Sequence, residues 1–150
     1  MKYFKGDALE AKNVDAIMHG CNCLGAMGAG IALQVKNRFP EAYEVYKEME
    51  RTIGLHPGWF SVCDVYDPPI VNLHTQDVVG KGSARLEWIE LSITRFKETL
   101  PIVRHQRKFA MPKIGAGLGG LNWNDVEQLL IVLEKRLWVE FYVYEFDAKL

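Results

Sequence analysis

Residues 15–39 read DAIMHGCNCLGAMGAGIALQVKNRF. The first five, Asp15 to His19, are a short apolar run of the kind that forms a buried strand. Gly20 then opens a stretch with glycines at 25, 28 and 30, which permit φ > 0 and close approach of a ligand to the backbone. Ile31, Val35 and Phe39 step by four, so they share one helical face. Pro40 stops that helix and suits the first position of the next. A strand, a glycine-rich turn and a helix in this order leave free N–H groups at the helix start, which favour an anion. The same stretch also fits a plain flexible connection, and it lacks the Lys-Ser/Thr of a P-loop.

Residues 108–137 repeat the arrangement. Lys108 to Pro112 (KFAMP) reads as a strand, and Gly115-Ala116-Gly117-Leu118-Gly119-Gly120 follows. This loop matches G-x-G-x-x-G through Gly115, Gly117 and Gly120. Asn124 is expected to cap the next helix and Glu127 to close a capping box. Val126, Leu129, Leu130, Leu133 and Leu137 supply that helix's buried stripe. A Rossmann domain carries such a loop after its first strand, with an acid about 20 residues on. Here only the strand Trp138 to Phe146 remains, and the acid would be Glu140 within it. The loop therefore reads as a diphosphate cradle outside a standard Rossmann unit.

The segments between fill in the pattern. Tyr3 to Lys5, Trp59 to Tyr66 and Ile70 to His74 read as strands; Glu41 to Arg51 and Ser83 to Leu100 read as helices. Alternation of this kind predicts an α/β fold with helices on both faces of one sheet. Ligands in such folds gather at the carboxyl ends of the strands, so both glycine-rich loops are expected on one edge, beside His74, Gln76 and Asp77.

The chain has 150 residues, 49% hydrophobic and 25% charged, with net charge -1. That is one domain of ordinary globular composition, residues 1–150. The balance of 18 basic and 19 acidic residues gives no field for duplex nucleic acid. No apolar run approaches the ~20 residues of a membrane span, and the first residues lack the apolar stretch of a signal peptide. An intracellular, cytoplasmic protein with no membrane partner is expected. Three cysteines are an odd count and read as reduced thiols.

Local chemistry leaves several roles open. Asn22 both donates and accepts, so it suits a sugar hydroxyl or a water, or simply a turn. His19 suits proton transfer near neutral pH, or a structural place at a strand end. His19, Cys21 and Cys23 alternate, but no fourth ligand completes a usual metal site; neither metal nor other cofactor is expected.

Jointly, the segments resemble a macrodomain, the ADP-ribose-binding fold. The resemblance rests on Lys5-Gly6-Asp7, on Ile17-Met18-His19-Gly20-Cys21-Asn22-Cys23, and on Met27-Gly28-Ala29-Gly30-Ile31-Ala32. It continues through Asn72-Leu73-His74-Thr75-Gln76, through Met111 to Leu118, and through Trp123 and the terminal Val143-Tyr144-Glu145-Phe146. H-x-C-N-C followed by G-x-G-I-A looks most like the ADP-ribose 1″-phosphate phosphatase branch, including its short bacterial and phage members. The resemblance implies a mixed sheet of about six strands between helices. It implies that Asp7 and Ala8 contact the adenine, with Phe146 nearby. Gly25, Met27, Gly28, Ala29, Gly30 and Ile31 would surround the distal ribose and diphosphate, with Thr75 and Gln76 on the same edge. Gly115 to Gly120 would cradle the diphosphate, and Asn22 would hold the distal ribose. Read as a phosphatase on its own chemistry, the chain offers Asn22 to fix the ribose or the attacking water and His19, with an ordinary pKa of about 6.5, to transfer protons. The implied partner is ADP-ribose or ADP-ribose 1″-phosphate, with ADP-ribosylated macromolecules or a non-catalytic reader role as alternatives. The related branch that cleaves ADP-ribose from glutamate or DNA bases uses a lysine after the L-x-T strand and, in one subgroup, an aspartate in the second loop. Those positions here are Gln76 and Gly119.

Overall fold

The computed structural model describes residues 1–78, 83–117 and 119–146. Its strands are β1 (Lys2–Lys5), β2 (Ala16–Cys21), β3 (Phe60–Cys63), β4 (Ile70–His74), β5 (Arg107–Pro112) and β6 (Val139–Glu145). Its α-helices are α1 (Gly30–Arg38), α2 (Pro40–Thr52), α3 (Leu86–Glu98) and α4 (Trp123–Leu137), and a 3₁₀ turn covers Ala8–Glu10. The strands form one sheet in the order β1-β6-β5-β2-β4-β3. Every neighbouring pair is parallel except β3 with β4, which is antiparallel. The sheet is therefore mixed, with its one reversed strand at an edge.

Alternation along the strands divides the core. Ala16, Met18, Leu73, Phe109, Met111 and Phe141 pack with Ile89, Ile93, Val126, Leu130 and Leu133, which lie on α3 and α4. Ile17, Ile70 and Ala110 turn the other way, toward Leu9, Val35 and Ala42. Helices thus cover both faces, which is why the parallel strands read as near-continuous apolar runs. A one-residue slip of β2 would exchange its two faces and bury His19 among the α3 and α4 side chains.

Several boundaries differ from the sequence reading. Trp138 caps α4 in a left-handed conformation, φ 55°, so β6 begins at Val139. The cap at the other end is Asn122, whose side chain accepts the Asn124 N–H at 2.8 Å; Asn124 lies inside the helix instead of capping it. β3 stops at Cys63 because a turn carrying Asp64, Asp67, Pro68 and Pro69 follows. α3 begins at Leu86 because Ala84 bridges to Gln76 and the Arg85 N–H donates to the Thr75 carbonyl at 3.1 Å. No helix among the described residues is long and apolar enough to cross a membrane.

Candidate functional site

Because β1, β6, β5, β2 and β4 run parallel, their carboxyl ends share one edge of the sheet. A cavity of about 420 Å³ opens there. Its walls come from the first loop and the start of α1 (Asn22, Gly28, Ala29, Gly30, Ile31), from the end of β4 (Thr75, Gln76), and from the second loop (Gly115, Gly117, Gly119). The two glycine-rich loops, 85 or more residues apart in sequence, therefore face one another across a common space.

The walls are built to donate hydrogen bonds. The first i→i−4 bond of α1 runs from Leu33 to Ala29, which leaves the N–H groups of Gly30, Ile31 and Ala32 without helical acceptors. All three residues line the cavity. Across from them, the N–H groups of Gly115, Gly117 and Gly119 meet no backbone acceptor among the described residues. No aspartate or glutamate is among the described lining residues, and the charged residue there, Lys113, pairs with Glu145 at 2.8 Å. Oriented amides without a competing carboxylate suit an anion.

The glycines divide into two kinds. Gly25, Gly30, Gly115 and Gly120 adopt positive φ, the region where glycine has no steric cost. A Cβ on Gly119 would stand 2.8 Å from the Ala84 Cβ and 2.9 Å from the Gly115 carbonyl. Gly28 and Gly117 do neither: their φ is ordinary, and an added Cβ meets nothing within 4 Å among the described residues. Packing does not demand glycine at either position, yet both line the cavity.

Asn22 is 7% exposed and organises the first loop. Its Oδ1 accepts from the Leu24 N–H (2.9 Å) and the Ala26 N–H (3.3 Å), and its Nδ2 donates to the Ala26 carbonyl (2.7 Å). One Nδ2 hydrogen is left over. Thr75 is also on the wall, packed so tightly that its Oγ1 would lie 2.7 Å from a Cβ on Gly20.

The structure does not bring His19 to the cavity. The pleat turns it with Ile17 toward the α2 side, where it is fully buried. Its Nε2 lies 2.6 Å from Asn72 Oδ1. Asn72 donates through Nδ2 to the Ala42 carbonyl and Ser61 Oγ, so its oxygen must accept and the proton sits on His19 Nε2. Burial pushes the His19 pKa down to about 4 despite that bond. The imidazole is neutral at pH 7, does not line the cavity and is held by Asn72, with Cys21 between it and the cavity at 3.7 Å; this geometry places it in a structural role and gives no direct contact for the proton transfer expected from sequence. Burial likewise pushes the Cys21 thiol up, which keeps this lining residue protonated.

Other expected residues lie at the margins. Asp7 and Phe146 follow β1 and β6, adjacent strands joined there by Gly6 N–H to Glu145 O at 2.9 Å. Asp7 caps the 3₁₀ turn through the Leu9 N–H and pairs with Arg38 at 2.5 Å; Phe146 is 68% exposed. Ala8 and Met27 are buried in the core, and Gly25, Ala116 and Gly120 shape their loops without lining the cavity. Leu118 lies outside the described residues. Gly20, Ala26, Ala32, Pro112 and Ile114 line the cavity without having been given a role there, because small or apolar side chains carry no chemical signal; Cys21, weighed above only as a metal ligand, and Lys113 line it too.

Comparison with known proteins fits this geometry. The family model described as Macro domain matches residues 18–130. The DNA ADP-ribosyl glycohydrolase of Mycobacterium tuberculosis (strain ATCC 25618 / H37Rv) is 33% identical over 135 residues, covering 86% of this chain and 37% of that protein. The chain thus spans well under half the length of that relative. The ADP-ribose 1″-phosphate phosphatase of Meyerozyma guilliermondii is 27% identical over 160 residues, covering 87% of this chain and 91% of the other. Among solved structures, the macrodomain of Mycobacterium tuberculosis DarG superposes with a TM-score of 0.80 at 32% identity, covering 95% of each chain.

Proposed function

This chain belongs to the macro domain family, and on that footing we propose that it binds ADP-ribose 1″-phosphate and hydrolyses the terminal phosphate ester. The observation that carries this reading is the facing set of amides. The α1 start and the second loop aim unpaired N–H groups at one space that holds no carboxylate among its described lining residues. A diphosphate and a terminal phosphate are polyanions that such donors hold and whose developing charge they stabilise.

In this reading Gly28 to Ile31 and Gly115 to Gly119 cradle the phosphates. The spare Nδ2 hydrogen of Asn22 donates to a substrate oxygen, and Thr75 and Gln76 close the cavity beside it. Asp7, with Ala8 and Phe146 at the ends of β1 and β6, bounds the adenine end. Water attacks phosphorus, the bond to the anomeric oxygen breaks, and that oxygen takes a proton, giving ADP-ribose and inorganic phosphate. A covalent route through an amine is not supported at the relevant positions. Gln76 is an amide donating to the Val78 carbonyl at 2.9 Å, position 119 is glycine, and the Lys113 ammonium is committed to Glu145.

A second reading rests on the 33% identity to a protein named a DNA ADP-ribosyl glycohydrolase: removal of ADP-ribose from modified DNA. One experiment separates the two. The purified protein is incubated with ADP-ribose 1″-phosphate and, in parallel, with ADP-ribosylated DNA, while ADP-ribose binding is titrated by calorimetry. Phosphate release from the monoester supports the phosphatase. ADP-ribose release from DNA alone replaces it with the glycohydrolase. Binding without either product leaves a reader, and absence of binding overturns the site.

A further inference from the structure

The first loop is held from behind by one turn of α2. Tyr46 is fully buried, does not line the cavity, and packs edge-on against His74 with ring centroids 5.9 Å apart. Its hydroxyl lies 2.8 Å from the Asn22 carbonyl and 2.9 Å from Asn22 Oδ1. On the next residue, Lys47 Nζ donates to the Gly25 carbonyl at 3.2 Å and pairs with Glu50 at 2.5 Å. Gly25 presses so closely on that pair that a Cβ there would overlap the Glu50 carboxylate.

The backbone donors decide which way the Asn22 amide faces, and the Tyr46 hydroxyl braces it in that orientation. Oδ1 receives the Leu24 and Ala26 N–H groups, and the single Tyr46 O–H hydrogen is shared between Oδ1 and the Asn22 carbonyl. Turning the amide over would set its NH₂ against two backbone N–H groups and leave those donors unpaired. Asn22 therefore presents a donor, never an acceptor, with whatever capacity remains. That favours contact with a substrate oxygen and argues against Asn22 activating a water by accepting its proton.

We propose that Tyr46 is a positioning residue, which fixes the Asn22 amide from outside the cavity so that its spare N–H is held toward the substrate. This rests on the reading of Asn22 as a substrate contact, and the loop half of it can be tested without any ligand. Tyr46→Phe removes one oxygen from a packed ring and leaves the ring's contacts in place. Two readouts are taken on the folded variant. The first is amide hydrogen exchange at Leu24 and Ala26, with the β2 amide of Ile17 as control. The second is ADP-ribose binding by calorimetry and phosphate release, for Tyr46→Phe, Asn22→Ala and the double variant.

Loss of one net hydrogen bond corresponds to roughly a 3- to 10-fold effect. Exchange at Leu24 and Ala26 should quicken by about that factor with Ile17 unchanged. Affinity or kcat should fall similarly, and the Tyr46→Phe effect should vanish in the Asn22→Ala background, because both changes remove the same contact. Unchanged exchange at Leu24 and Ala26 would overturn the positioning role, and so would a penalty that persists without Asn22. Failure of Tyr46→Phe to fold would also overturn it, since the hydroxyl would then be holding the fold and not the loop. A wild-type protein that neither binds ADP-ribose nor releases phosphate would remove the functional reading, while the exchange measurement still decides whether Tyr46 sets the loop.

Discussion

Gly117→Val isolates ligand access from folding. Gly117 lines the cavity, its φ is ordinary, and an added Cβ meets no atom of the described residues within 4 Å. The folded state therefore loses little. Removing a glycine also restricts the unfolded chain, worth about 0.4–1 kcal/mol in favour of folding where the backbone is compatible. For a chain of this length that is a rise of at most about 2–4 °C in melting temperature. Binding should respond in the opposite sense. The isopropyl group occupies the space beside the Gly117 N–H, where a phosphate oxygen would sit. Losing one hydrogen bond to a charged group costs about 1.5–3 kcal/mol, which is roughly a 10- to 150-fold rise in Kd. Calorimetric titration with ADP-ribose, alongside a thermal melt, reads both. Gly119→Ala is the contrast: its Cβ would crowd the Ala84 Cβ and the Gly115 carbonyl, so it should lower stability by about 1–3 kcal/mol. A Gly117→Val protein that melts normally and binds ADP-ribose within about twofold of wild type would refute the cradle.

Gly25→Ala combines positive φ with overlap on Glu50 and should destabilise the protein by at least about 1–2 kcal/mol, read as a lowered urea midpoint. Asp7→Ala removes the cap on the 3₁₀ turn and the Arg38 pair. Kinetics should show a raised KM with kcat unchanged, because the residue lies at the far end of the strand edge from Asn22. Stability should depend on pH through His19 and His74, each pushed down to about 4 by burial. Between the ordinary histidine pKa of 6.5 and about 4, the unfolded chain binds the extra protons. Stability is then complete above pH 6.5 and falls as pH drops, by up to about 1.4 kcal/mol per pH unit for each histidine. Urea titrations at pH 7, 6 and 5 check this, and a flat profile would contradict the neutral burial of both rings.

Much of this molecule is local in origin and so was legible in the sequence. Apolar runs ending in glycine mark β2 and β5, steps of three and four mark the helices, and their alternation predicts a layered sheet. Parallel strands then force the two glycine-rich loops onto one edge, and the macrodomain resemblance named Asn22, Gly30, Thr75 and Gly117 as parts of one site. Boundaries were less legible, because they depend on single hydrogen bonds: Asn122 and not Asn124 caps α4, and Trp138 turns left-handed where a strand was expected to begin. The side chains of β2 were hardest. Composition marks His19 as a catalytic type, but only the pleat and the neighbouring β4 decide that it faces Asn72 in the buried interior. Tyr46 gave no signal at all, since an aromatic at helical spacing looks like core. Sequence determined which segments fold and which loops meet, because those follow from periodicity and backbone freedom. Tertiary structure alone decided which polar groups face the cavity and which face the core, because that depends on partners brought together from distant parts of the chain.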